Sequence, residues 1–303
     1  MESVLTLIAG TQGLSRGAGL KSDLIATLTA RLQEVGAAVG APLWLAPNRA
    51  CDLPFDRLAP ERAYPVVRAT LADLPVDFHA QPAQGRRKKL LIADMDSTIV
   101  TTETLDELAG EAGLKDVIAE ITMRSMRGEL DFSQALIERV AMLADLPESA
   151  LAKTAAQTEL TPGAKTLVQT MKASGAFTAL VSGGFKYFTS RVAKSVGFDL
   201  DLANDLEMED GRLTGRLAGP ILDKDGKVNA LRTLSAEHGL SIADAVTVGD
   251  GANDLPMLLA AGLGVAFHGK PLLREQVRAQ VNHNDLSALL FFQGYREDEF
   301  VSG

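Results

Sequence analysis

Three short apolar runs, each stopping at a cluster of small and acidic residues, constrain this chain more than any other feature. Leu90-Leu91-Ile92-Ala93 stops at Asp94-Met95-Asp96-Ser97-Thr98. Residues 178–181 stop at Ser182-Gly183-Gly184, and 245–248 stop at Gly249-Asp250-Gly251-Ala252-Asn253-Asp254. A run that is apolar at every position suits a strand covered on both faces, as in a parallel sheet. A fourth run, 264–267, follows, and helical spacing occupies 163–173, 185–196, 228–238 and 254–261. Strand–helix alternation of this kind predicts a doubly wound parallel α/β domain. Ligands of such sheets sit beyond the carboxyl ends of the strands, so the three polar clusters are expected to converge on one crevice.

The rest of the chain departs from that alternation. Residues 103–160 read as almost wholly helical, with helices over 104–112, 116–127 and 132–143, and predict a helical cap inserted into the α/β domain. Asp210-Gly211 marks a hairpin within 204–221. Residues 1–86 read as a separate small unit with strands over 4–9, 42–46 and 76–80 and helices over 23–35 and 63–74. The expected division is therefore 1–86 and 87–303. The basic run Arg86-Arg87-Lys88-Lys89 at that boundary is read as a solvated linker. A nucleic-acid patch is disfavoured there because no aromatic residue interleaves and the whole chain carries a formal charge of −9. One cysteine, Cys51, excludes an intrachain disulfide and a Cys-rich zinc site, and favours a cytoplasmic location. The first ten residues lack the basic start of a secretory signal, and no apolar run approaches the roughly 20 residues a membrane span needs.

The clusters define a chemistry together that none defines alone. Asp94 and Asp96 in isolation make a polar turn, Ser182-Gly183-Gly184 a common loop, and Lys227 a surface lysine. Two acidic clusters at neighbouring strand ends repel, however, and a hard divalent cation relieves the repulsion; Mg²⁺ suits because it takes few carboxylates and pairs with phosphate. A hydroxyl and open backbone N–H groups before a helix form an anion cradle. Lys227 shares a helix side with Leu231 and Leu234 and is expected to reach inward. Arg139, seven residues after Phe132 and three after Leu136, falls on the apolar side of its helix, where an arginine either snorkels or pairs with a carboxylate. A carboxylate nucleophile, a cation, an anion cradle and a lysine together suit phosphoryl transfer through an aspartyl-phosphate.

With these residues in view, DMDST, SGG, the downstream Lys227 and GDGANDLPM resemble the four motifs of the haloacid dehalogenase superfamily of phosphatases. TTETLDELA with Glu103, MRGELDF over 126–132 and ERVAMLADLP over 138–147 are similar to its phosphoserine phosphatase branch. The resemblance spans nearly all of 90–285. It implies a Rossmann-like core with a helical cap, and Mg²⁺-dependent hydrolysis of O-phospho-L-serine to L-serine and phosphate, the last step of serine biosynthesis. It assigns Asp94 as nucleophile, and Asp96 as general acid and then base, with a raised pKa. Mg²⁺ falls to Asp94, the Asp96 carbonyl and Asp250, with Asp254 supporting the metal's waters. Ser182, Gly183 and Lys227 hold the phosphoryl oxygens, and Asn253 orients the phosphorylated group. Glu103 takes the substrate ammonium, Arg139 its carboxylate, and Met126 and Phe132 close an apolar wall.

Residues 1–86 resemble, more loosely, the ACT-like domains that bind amino acids or assemble homodimers, with Gly13-Leu-Ser-Arg-Gly17 as the candidate ligand turn. Two other functions fit parts of the pattern: a phosphotransferase to homoserine on the same scaffold, and a non-catalytic amino-acid sensor. The complete set of Asp94, Asp96, Lys227 and Asp250 disfavours the sensor, which has no need of a nucleophile. His79, His238, His268 and His283 show no ligand spacing, and Trp44, Phe291 and Phe292 are expected to pack.

Overall fold

The structure, a computed structural model, describes residues 1–11, 19–126 and 129–302, without the side chains of 125 and 126. The candidate ligand turn at Gly13–Gly17 therefore lies outside the described residues. Two sheets organise the chain. The first contains β1 (Ser3–Ala9), β2 (Ala38–Val39), β3 (Leu43–Ala46), β4 (Ala50–Asp56) and β5 (Val76–Pro82), in the order β2-β4-β1-β5 with β3 also paired to β4. All its pairs are antiparallel. Helices α1 (Ser22–Glu34) and α2 (Pro60–Leu71) cover one face, where Leu28, Leu32, Val67 and Leu71 join Leu5, Leu7, Leu53 and Phe55 in one buried cluster. From the other face Ile8, Ala46 and Ala50 enter the core of the remaining chain. β1 is therefore buried at every position.

The second sheet contains β6 (Leu90–Ala93), β7 (Phe177–Phe185), β8 (Leu200–Glu209), β9 (Arg212–Ala218), β10 (Ala245–Gly249), β11 (Leu263–Phe267) and β12 (Ala279–Val281). Its order is β12-β11-β10-β6-β7-β8-β9, with every pair parallel except the hairpin β8–β9. Asp210 and Gly211 turn that hairpin with φ of 49° and 74°, the left-handed pair that a two-residue turn requires. Between β6 and β7 run α3 (Thr104–Glu111), α4 (Lys115–Met126), α5 (Phe132–Ala141) and α6 (Glu148–Gln157), followed by α7 (Ala164–Ala173). The helices α8 (Lys186–Val196), α9 (Lys224–Glu237), α10 (Leu255–Ala260), α11 (Pro271–Gln276) and α12 (Ala288–Phe292) complete the fold. Alternate residues of β6 serve opposite faces: Leu90 and Ile92 pack with Leu231 and Leu234 of α9, and Leu91 and Ala93 with Leu167 of α7. This two-sided burial is the reason the strand is apolar at every position. The fold class is α/β, as the alternation implied.

The structure corrects the linker reading of the basic run. Arg86 pairs with the buried Asp52 at 2.6 Å, and Arg87 pairs with Glu299 at 2.7 Å. Lys88 is buried, and its ammonium donates to the carbonyls of Gly85 and Ala243. The run is knitted into the protein because carboxylates and carbonyls from three directions face it. The two sheets also share a polar seam. The Asp77 carboxylate accepts from the N–H groups of Asn282 and His283 and from the Asn284 amide, while Gln81 donates to the Phe292 carbonyl. Among the described residues no helix is long and apolar enough to cross a membrane.

Candidate active site

Strand register brings the acidic clusters together. In the central parallel pairs Val248 lies beside Ala93, and Ala93 beside Leu180. One step further along, Asp94, Val181-Ser182 and Gly249-Asp250 emerge at the same sheet edge. The Asp94 N–H donates to the Val248 carbonyl at 3.0 Å, so the first acid is tied to the strand that delivers the second. Glycine is required where this edge crowds. A Cβ on Gly249 would lie 2.4 Å from the Asp254 carboxylate, and one on Gly184 would lie 2.8 Å from Asp96 Oδ2.

Asp94, Asp96, Glu103, Phe132, Arg139, Ser182, Gly183, Asp250 and Asn253 line one cavity of about 350 Å³. Lys227 and Asp254, both fully buried, lie beneath it. The Met126 side chain lies outside what the structure describes; α4 ends at that residue. The pocket is thus built from the second sheet and the helical segment after β6, with Asp94, Ser182 and Asp250 at the strand ends, Glu103 just before α3, and Phe132 and Arg139 on α5. A roomier cavity of about 640 Å³ lies where Gly10 and Pro75 approach Thr161 and His268, and carries none of the carboxylates of the acidic cluster.

The electrostatics are those of a crowded acidic floor. Asp94, Asp250 and Asp254 each place one ligand oxygen within 4.8 Å of the others. Three buried carboxylates are a hard-oxygen donor set of the kind Mg²⁺ favours. The Lys227 ammonium stands 2.8 Å from Asp94 Oδ1 and 2.6 Å from Asp254 Oδ1. Burial pulls its pKa down, but the two carboxylates more than offset that and hold it above its ordinary value. Asp254 is pushed up to about 7 by burial and by Asp94, against the pull of Lys227. Asp96 is also pushed up to about 7, by burial and by the charges of Asp94 and Glu103; the Thr104 N–H bound to its Oδ1 at 2.9 Å opposes the rise. A carboxyl near 7 both gives and takes a proton at neutral pH.

The helical segment supplies the far wall. Arg139 is mostly buried, and its Nε donates to the Ala135 carbonyl at 3.1 Å, leaving the terminal guanidinium nitrogens free of any hydrogen bond among the described residues. Glu103 precedes α3 and accepts from Ser97 Oγ at 2.8 Å. Phe132 packs against Gly183, where a Cβ would meet its ring at 3.1 Å. Sequence reasoning did not single out Lys270. It follows β11, the fourth apolar run, and its ammonium lies 3.1 Å from Asp250 Oδ2 and 3.6 Å from Glu103 Oε1.

The haloacid dehalogenase-like hydrolase family matches residues 91–259, more than half of the chain and the span that holds Asp94, Ser182 and Asp250. The chain belongs to that family. As a haloacid dehalogenase-like hydrolase it is 40% identical over 287 residues to a phosphoserine phosphatase of Streptomyces coelicolor, covering 93% of this chain and 70% of the relative. It is 49% identical over 199 residues to a phosphoserine phosphatase of Streptococcus thermophilus, covering 66% of this chain and 93% of the relative. Among solved structures, an HAD family hydrolase from Salmonella enterica superposes with a TM-score of 0.81 at 32% identity, covering 98% of this chain and 99% of that one. This last likeness extends over both sheets.

Proposed function

We propose that this chain is a phosphoserine phosphatase, an enzyme that hydrolyses O-phospho-L-serine to L-serine and phosphate. The observation that carries the reading is the shared cavity of Asp94, Glu103 and Arg139. A nucleophilic carboxylate there faces both a group for an ammonium and a group for a carboxylate. Phosphoserine presents the three complementary groups on one short skeleton. Relatives named phosphoserine phosphatase support the same reading.

In this reading the residues take the roles that the family resemblance implies. Ser182, the Gly183 backbone, Asn253 and Lys227 surround the phosphoryl group, and Arg139 grips the substrate carboxylate with the planar fork that suits it. An Asp94 oxygen attacks phosphorus, and the bond to the serine oxygen breaks. Asp96 gives its proton to that departing oxygen. A water then attacks the aspartyl-phosphate, Asp96 takes the water's proton, and phosphate leaves with Asp94 restored as a carboxylate. Asp94, Asp250 and the Asp96 carbonyl would hold Mg²⁺, with Asp254 behind them. When bound, the ion offsets the negative charge of the phosphoryl oxygens beside Asp94. Phe132 excludes bulk water, a role the family resemblance extends to Met126.

Residues 87–303 form the catalytic unit in this reading, with a cap over about 103–160, and residues 1–86 an ACT-like assembly or regulatory unit through which two copies pair. A cytoplasmic enzyme acting on a small metabolite accords with the single cysteine. The test is phosphate release, with Mg²⁺, from phosphoserine, phosphothreonine and simple phosphate esters. Phosphoserine should be turned over fastest, and adding homoserine should leave the rate of phosphate release unchanged. Turnover that depends on an acceptor alcohol would make the chain a phosphotransferase instead.

A further inference from the structure

The geometry points to Lys270 as an internal counter-ion shared by the metal ligand Asp250 and the ammonium-reading Glu103, which sets how tightly each binds its own cation; the second half of this rests on the phosphoserine reading above. Three observations place it there. Lys270 lines the pocket, and its backbone N–H donates to the Asp250 carbonyl at 2.9 Å, which fixes the residue at the strand edge. Its ammonium reaches both carboxylates, Asp250 at 3.1 Å and Glu103 at 3.6 Å. Its side chain is also 57% exposed, so it has room to swing into solvent. Two other cations described at the site are not free to do so: Lys227 is fully buried under Asp94 and Asp254, and Arg139 is mostly buried.

Both carboxylates require a positive partner in the loaded enzyme, and both already have one in Lys270. Each incoming cation therefore displaces the lysine, and the lost ion pair is subtracted from its binding. Lys270 also spans the two parts of the chain, since Glu103 leads into the helical segment and Asp250 ends a core strand. Its position lowers the net negative charge of the open pocket towards an anionic phosphate ester.

The test is Lys270→Met in the full chain, with Lys270→Arg as the charge-retaining control. Calorimetry with MgCl₂ and no substrate should show Mg²⁺ binding about two- to fivefold tighter in Lys270→Met, the range expected for a partly exposed ion pair, and unchanged in Lys270→Arg. The ratio of kcat/KM for phosphoserine to that for the phosphate ester of 3-hydroxypropanoate, which lacks only the ammonium, should rise by a similar factor. Unchanged or weaker Mg²⁺ binding, or equal changes on both esters, would overturn the assignment. A wild-type enzyme inactive on both esters would instead defeat the phosphoserine reading, and calorimetry would still decide whether Lys270 competes at Asp250.

Discussion

Lys227 and Asp94 meet under the floor of the pocket, with 2.8 Å between Nζ and Oδ1 and no solvent on the lysine. The Asp94 carboxylate is therefore held by a cation that water does not reach. The same ammonium also serves Asp254 at 2.6 Å, so one positive charge answers two buried carboxylates.

Replacing that ammonium by an isosteric apolar chain leaves both acids without a partner. Lys227→Met should lose activity and also destabilise the fold by about 3–5 kcal/mol at neutral pH, the cost of breaking a buried pair from one side. Urea unfolding in the absence of divalent ions measures it. The loss should shrink as pH falls and Asp254, already pushed up to about 7, takes a proton. A variant as stable as wild type at pH 8 would show that the lysine does not neutralise these acids.

Gly184 gives Asp96 its space. The Cβ of Gly184→Ala would lie 2.8 Å from Asp96 Oδ2, so the acid must move by some tenths of an ångström. Because the carboxyl end is the part that yields, the melting temperature should stay near wild type while kcat falls about 10- to 100-fold. An unaltered kcat would mean that the position of Asp96 is not critical for proton transfer.

Arg139→Ala separates recognition from chemistry. The expected loss in kcat/KM on phosphoserine is about 10- to 100-fold, the worth of a charge-assisted hydrogen bond. Phosphoethanolamine, which keeps the ammonium and the phosphate but lacks the carboxylate, should lose little. Equal losses on the two substrates would make Arg139 a structural residue.

His79 offers a pH signature far from the site. It is buried against Phe292, its Nδ1 is bonded to the Tyr64 hydroxyl, and burial followed by the charges of Lys88 and Arg278 lowers its pKa to about 3. The unfolded chain takes up a proton near pH 6.5, whereas the folded one resists until about pH 3. Stability on this account is full above pH 6.5 and is lost as pH falls towards 3. Between pH 7 and 5 the loss is about 2 kcal/mol. His79→Gln should remove that slope in urea titrations; an identical slope in the variant would assign it to other groups.

Much of the catalytic sheet was legible because buried parallel strands have no polar face to confuse the pattern. Leu90–Ala93 and Ala245–Gly249 announced themselves by composition, and the acids that end them by contrast. β4 escaped because Asp52 and Pro54 break its run. Asp52 is tolerated there only through Thr6 and Arg86, partners that no local pattern reveals. Helix α6 fell within the stretch read as helical but was given no bounds of its own; it is held by packing on α3. The basic run at 86–89 was misread because nothing nearby in sequence shows the acids it meets. Lys270 was within reach, since it follows the fourth apolar run as Asp94 and Asp250 follow theirs. It stood beside a single glycine, Gly269, without the neighbouring acids that marked the runs ending at Asp94 and Asp250.

The strand order β10-β6-β7 has a consequence for how the protein comes into being. β6 emerges early from the ribosome yet sits in the middle of its sheet, and the neighbour that carries Asp250 is synthesised long afterwards. Until then one flank of β6 has no hydrogen-bonding partner, and Asp94 has neither Asp250 nor Asp254 beside it. A nascent or prematurely terminated chain lacking β10 therefore has an incomplete acidic cluster, and it exposes an unpaired sticky edge that translation must finish covering.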